Sequence, residues 1–148
     1  MYISTKIFDN FSVALRQWKA KHSHCQLLHG YALKFKVWFS SDDLDSMNWI
    51  VDFGSFGHNG LKDWLNDNFD HTTLIEQDDP YLDLFEQLSM EGLLKLKIMP
   101  KMGCESLAKM VFDKFNDTLA KQDSGRSRVI KVEVFENDKN SAIYEIKS

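Results

Sequence analysis

The run His22-Ser23-His24-Cys25-Gln26-Leu27-Leu28-His29-Gly30-Tyr31-Ala32-Leu33-Lys34-Phe35-Lys36-Val37-Trp38-Phe39 decides how the rest of the chain is read. Its second half alternates as a strand does, with Leu33, Phe35, Val37 and Phe39 on one face and Lys34, Lys36 and Trp38 on the other. Its first half gathers three imidazoles, His22, His24 and His29, around the thiol of Cys25. Gly30 then allows a bend that a residue with a Cβ would resist. A reactive loop at the foot of a rigid strand can seat chemistry, although a polar loop with no chemical role would carry the same residues.

On the N-terminal side, Ile3, Thr5 and Ile7 alternate with Tyr2, Ser4 and Lys6, which predicts a strand running to about Phe11 with some irregularity. Ala14 to Lys21 reads as a helical turn or a loop. On the C-terminal side, Ser40 to Ser46 is a turn by composition, and Trp49, Val51 and Phe53 alternate as a short strand. From about Phe56 to Asn68 the period becomes helical, with Leu61, Trp64 and Leu65 on one face. Just past this helix, Phe69 to Leu74 sets the acid of Asp70 beside the imidazole of His71, as either a polar turn or a paired site.

A helix is predicted over Pro80 to Glu91, stopping at Gly92, and a strand from Leu94 to Ile98. The longest amphipathic helix spans Glu105 to Leu119, with Glu105 favourably in its first turn. After a polar loop from Lys121 to Arg128, Ile130 to Phe135 and Ser141 to Ile146 form a hairpin. This order predicts a single α+β domain over residues 1–148, an antiparallel sheet with two helices on one face.

Composition narrows the function classes. The chain has 148 residues, 43% hydrophobic and only 2 prolines, which supports a packed core and argues against disorder. Net charge is −4 with Lys and Arg dispersed, so a nucleic-acid surface lacks electrostatic support. Cys25 and Cys104 are too few for a disulfide framework and are expected reduced. No run approaches the ~18 apolar residues of a membrane span, and the first ten residues lack the apolar core of a secretory signal. A soluble, cytoplasmic protein with no membrane partner is expected.

Four pieces, in order, resemble the 6-pyruvoyl-tetrahydropterin synthase and 6-carboxy-tetrahydropterin synthase (QueD) family. They are Cys25-Gln26-Leu27-Leu28-His29-Gly30, Val51-Asp52-Phe53, Phe69-Asp70-His71-Thr72-Thr73-Leu74, and Glu133-Val134-Phe135-Glu136 followed by Ala142-Ile143-Tyr144. Phe11 to Arg16 and Gly103 to Ala108 match two further stretches more weakly. The resemblance implies a tunnelling fold, whose four-stranded antiparallel sheet with two helices assembles into a barrel, commonly a homohexamer of two trimers with active sites between subunits. Family members act on 7,8-dihydroneopterin triphosphate, giving 6-pyruvoyl-tetrahydropterin or, on the route to 7-deazaguanines such as queuosine, 6-carboxy-tetrahydropterin.

By position, the resemblance makes Cys25 the proton-abstracting thiol, Asp70 with His71 its relay, and Glu136 the carboxylate that anchors the pterin ring, with Glu105 as a second contact or a plain helix-dipole partner. A thiolate is an apt base for that proton, and a carboxylate accepts from two donors of a flat ring at once. The resemblance also implies zinc held by three histidines, but here Leu15 and Tyr31 fall at two of those places and only His29 remains. Leucine cannot ligate, and tyrosine is a poor zinc ligand beside imidazole. Either His24 or His22 rebuilds the zinc set, or zinc is weak or absent. A QueD-type lyase is therefore expected, with a catalytically impaired, zinc-poor pterin or purine binder as the alternative.

Overall fold

Strand β1 (Tyr2–Leu15) pairs antiparallel with β2 (His29–Ser41), and both are longer than the alternation alone suggests. The structure is a computed structural model that describes residues 1–147. The chain continues through α1 (Leu61–Phe69), β3 (Thr72–Glu76), α2 (Leu82–Met90), β4 (Lys95–Met99), α3 (Cys104–Asp123), β5 (Arg128–Phe135) and β6 (Ser141–Glu145). One sheet holds all six strands in the order β4-β3-β1-β2-β5-β6. The expected four-stranded antiparallel sheet is its β1-β2-β5-β6 portion, and β3 and β4 extend it in parallel from the free side of β1. Among the described residues no helix is long and apolar enough to cross a membrane.

A one-residue irregularity in β1 decides where the site can form. The β1–β2 register shifts between Phe8 and Phe11, where Asn10 adopts a left-handed φ of 66°. Phe8 and Phe11 are an odd number of residues apart, so a regular strand would send them to opposite faces; the bulge lets both enter the core. Val13 and Leu15 then follow Phe11 inward, and Leu15 comes to lie directly across from His29.

The core lies between this face and two helices. Leu61, Leu65 and Phe69 of α1, with Leu107, Val111, Phe115 and Leu119 of α3, pack on Leu33, Phe35, Val37 and Phe39 of β2. Phe115 also meets Phe8, Phe39 and Phe56, with ring centroids 5.5–6.5 Å apart. The small helix α2, expected over Pro80 to Glu91, adds nothing to this cluster. Ile75 of β3 and Phe85 of α2 are buried outside the main cluster, which sets α2 behind the parallel edge.

Two stretches differ from the sequence expectation. Trp49 to Phe53 is not a strand: the Trp49 N–H donates to Asp45, the carbonyls of Trp49 and Ile50 accept from Arg126, and Asp52 accepts from the Gly54 N–H and caps a short turn, Phe53–Gly57. That turn delays α1 to Leu61, whose N–H donates to the side chain of Asn59 after Gly60 turns left-handed. Conversely, Thr72 to Leu74, expected within a polar turn or a paired site, opens strand β3. All five of its residues are buried, so it lacks the alternation that marks a half-exposed strand.

Candidate functional site

Four pieces of chain converge on a cavity of about 340 Å³ at the head of α3. The sheet contributes Leu15, His29 and Tyr31, the loop after β1 contributes Gln17 and Cys25, the start of α3 contributes Gly103, Cys104 and Glu105, and the β5–β6 hairpin contributes Glu136 and Ser141. Thus Cys25, His29, Tyr31, Leu15, Glu105 and Glu136, singled out from the sequence, share one space. Gln17, Cys104 and Ser141 were missed; for Cys104 the available signal was its place one residue before Glu105 at a helix start.

His29 and Tyr31 are two apart on β2 and therefore share a face. The His29 Nδ1 lies 2.6 Å from the Leu27 carbonyl oxygen, and its Nε2 lies 2.8 Å from the Tyr31 hydroxyl. A carbonyl only accepts, which assigns the hydrogen of the neutral ring to Nδ1 and leaves Nε2 to accept from Tyr31. The rings meet edge to face with centroids 4.9 Å apart. Burial and the charge of the adjoining Glu136 carboxylate push the Tyr31 hydroxyl well above its ordinary pKa.

The Cys25 loop is held from behind. Arg16 grips Asp79 with two parallel bonds, Nε to Oδ2 at 2.7 Å and Nη2 to Oδ1 at 2.8 Å, and its Nη1 donates to the Gln26 carbonyl at 3.1 Å. The Cys25 N–H donates to Ser23 Oγ and its carbonyl accepts from the Gln17 N–H, so the backbone is fixed while the residue stays exposed. Burial pushes Asp79 up, but the Arg16 guanidinium and the Tyr81 N–H outweigh it and leave the carboxyl below its ordinary value. At the start of α3, Gly103 has φ +128°, where a Cβ would be strained and would meet Glu105 Oε2 at 3.2 Å. Burial, then the charges of Glu136 and Glu105, push the Cys104 thiol up to about 12, so it remains protonated near neutrality.

The remaining sequence candidates lie elsewhere. Asp70 and His71 form a pair at the α1–β3 turn, with Asp70 Oδ2 3.1 Å from His71 Nδ1 and Oδ1 accepting from the Ser12 N–H. The Ser12 N–H and then His71 hold Asp70 below its ordinary value. The His71 side chain is 83% exposed, and neither residue lines the cavity of its own chain. His22 and His24 border a separate depression with Lys21, Gln26 and Leu27.

The model of the family described as 6-pyruvoyl tetrahydropterin synthase matches residues 3–147. The chain belongs to the 6-pyruvoyl tetrahydropterin synthase family. Two relatives named 6-carboxy-5,6,7,8-tetrahydropterin synthase, from Rickettsia felis and Rickettsia typhi, are 33% and 34% identical over 55 residues. Those matches span 37% of this chain and only 39% of either relative's length. Among solved structures, a Wolinella succinogenes protein superposes with a TM-score of 0.83 at 20% identity, covering 99% of this chain and 98% of that one. The Caenorhabditis elegans 6-pyruvoyl tetrahydropterin synthase gives 0.64 at 18%, covering 99% and 98%, and a Plasmodium vivax 6-pyruvoyltetrahydropterin synthase 0.62 at 12%, covering 99% and 100%. These likenesses show the fold.

The donor set in this 6-pyruvoyl tetrahydropterin synthase family member does not fit a zinc ion. Leu15 presents carbon, His29 uses both ring nitrogens, and Tyr31 presents a hydroxyl. Among the described residues no three His, Cys, Asp or Glu side chains are grouped to hold a metal ion.

Proposed function

We propose that the cavity binds the bicyclic ring of a pterin and that the protein is a lyase of the 6-carboxytetrahydropterin synthase type acting on 7,8-dihydroneopterin triphosphate. The observation that carries this reading is the meeting of the Cys25 thiol with the Glu136 and Glu105 carboxylates on one cavity of about 340 Å³. Glu136 accepts from a ring N–H and the exocyclic amino group, and Cys25, as thiolate, removes a proton from the substrate side chain. Asp70 and His71 serve as the proton relay from a neighbouring copy, since they do not line the cavity of their own chain and the His71 side chain is exposed. This makes the assembly, a homohexamer by family expectation, part of the site. The names of the Rickettsia relatives favour the 6-carboxy product and hence a cytoplasmic role in 7-deazaguanine synthesis.

A second reading, a pterin or purine binder without turnover, is favoured by Leu15 and Tyr31 at two metal-ligand positions. Incubation with 7,8-dihydroneopterin triphosphate separates the two. Formation of 6-carboxy-tetrahydropterin, lost in Cys25→Ala, supports the lyase; a folded protein that binds a pterin yet yields no product supports the binder. A protein that neither binds nor converts pterins fits neither.

A further inference from the structure

The cavity's three sheet positions have a geometry that would suit a metal and a chemistry that does not. Residues 15 and 29 are direct cross-strand partners, and 29 and 31 are neighbours on the same face of β2, so three side chains converge. Only one of them offers an imidazole, and its single free lone pair, on Nε2, already accepts from Tyr31 at 2.8 Å. Turning the ring to release that nitrogen would break the 2.6 Å bond from Nδ1 to the Leu27 carbonyl. Leu15 is only 8% exposed and fills its corner with carbon. Cys25, Cys104, Glu105 and Glu136 border the same cavity but are not grouped with His29 as a ligand set.

We propose that this site works without a metal, and that the His29–Tyr31 pair stands in the metal's place as a hydrogen-bonding post for a hydroxyl on the ligand's side chain. Having given its only hydrogen to His29 Nε2, the Tyr31 oxygen keeps lone pairs that can accept from such a hydroxyl. The leucine at position 15 dries the opposite corner, which strengthens a hydrogen bond made beside it. The ligand half of this proposal rests on reading the cavity as a pterin site; the metal half does not.

Three measurements test it. In the first, the purified protein is dialysed against zinc and assayed for metal and thermal stability; well under one equivalent of zinc, with a melting temperature indifferent to zinc or chelator, is expected. Retention of one equivalent overturns the metal half even if the lyase reading stands. In the second, Leu15→His/Tyr31→His completes three imidazoles on one face; it is expected to take up one zinc, to melt higher when loaded, and to give the visible absorption of tetrahedral cobalt when loaded with cobalt. A folded double variant that binds neither metal overturns the claim that these two positions exclude it.

In the third, fluorescence titration compares 6-hydroxymethylpterin with 6-methylpterin. The wild type is expected to prefer the hydroxylated probe by about tenfold, the scale of one buried hydrogen bond, and Tyr31→Phe to erase the preference while holding 6-methylpterin unchanged. Equal preference in both proteins overturns the role of Tyr31. Failure of both pterins to bind the folded wild type overturns the ligand half together with the proposed function, while the metal half is still decided by the first two measurements.

Discussion

The cavity at the head of α3 and the groove beside the first residues of β1 are both concave, but they are built from different materials. The groove is the larger, about 490 Å³ against about 340 Å³, and its walls are mostly apolar, from Ile3, Trp49, Ile50, Val51 and Phe53. Its one carboxylate, Asp52, is occupied in capping the turn at Gly54. The smaller cavity collects two thiols, two carboxylates, an imidazole and a phenol. Volume therefore does not find the chemistry; convergent titratable groups do.

Their walls are also held differently, and this is where the contrast can be tested hardest. Behind the cavity, Arg16 pairs with Asp79, whose side chain is 1% exposed. Beside the groove, Arg126 donates to the backbone carbonyls of Asp43, Trp49 and Ile50, from a side chain that water reaches. Arg16→Ala strands a buried carboxylate and should cost about 3 kcal/mol or more in urea unfolding. Arg126→Ala leaves carbonyls that water can satisfy and should cost about 1 kcal/mol. Equal losses would erase the distinction between the two walls.

The next largest effect concerns binding. Glu136→Ala should weaken a pterin by about 100-fold, as expected for losing two bonds to a charged acceptor, whereas Trp49→Ala in the groove should change it by less than about threefold. A titration showing the reverse order would move the ligand site to the groove.

The smallest effect is in the acid range. The folded-state pKa of Asp79 lies below its ordinary 3.8, so its pairing adds stability that is fully present above that value and is lost as pH falls through the lowered one. Melting temperatures taken from about pH 5 to about pH 2 should fall more steeply in the wild type than in Asp79→Asn. The groove's arginine donates to carbonyls and meets its nearest carboxylate, Asp123, only at 3.8 Å, so a weaker acid dependence is expected there.

What could be read from the sequence follows the same physical lines. Strands with one wet face, β2 and the β5–β6 hairpin, announced themselves by alternation, and α3 by its helical period. Strand β3 did not, because burial on both faces removes the polar half of the pattern. The bulge at Asn10 was visible only as an irregularity, yet it determines that Leu15 faces His29. Cys25, His29, Tyr31, Glu105 and Glu136 were legible as motifs, and the fold brings them onto one cavity. Asp70 and His71 were legible as a pair, but their separation from that cavity depends on which side of β1 the new strand joins. No local pattern encodes that choice.

One element runs between the two hollows. The first turn of α3 borders the cavity, and just beyond its last turn Arg126 secures the groove, so twenty residues of helix, about 30 Å, stand between them. A molecule the size of a pterin is far shorter than that span. A guest of that size in the cavity therefore leaves the far end of the helix untouched.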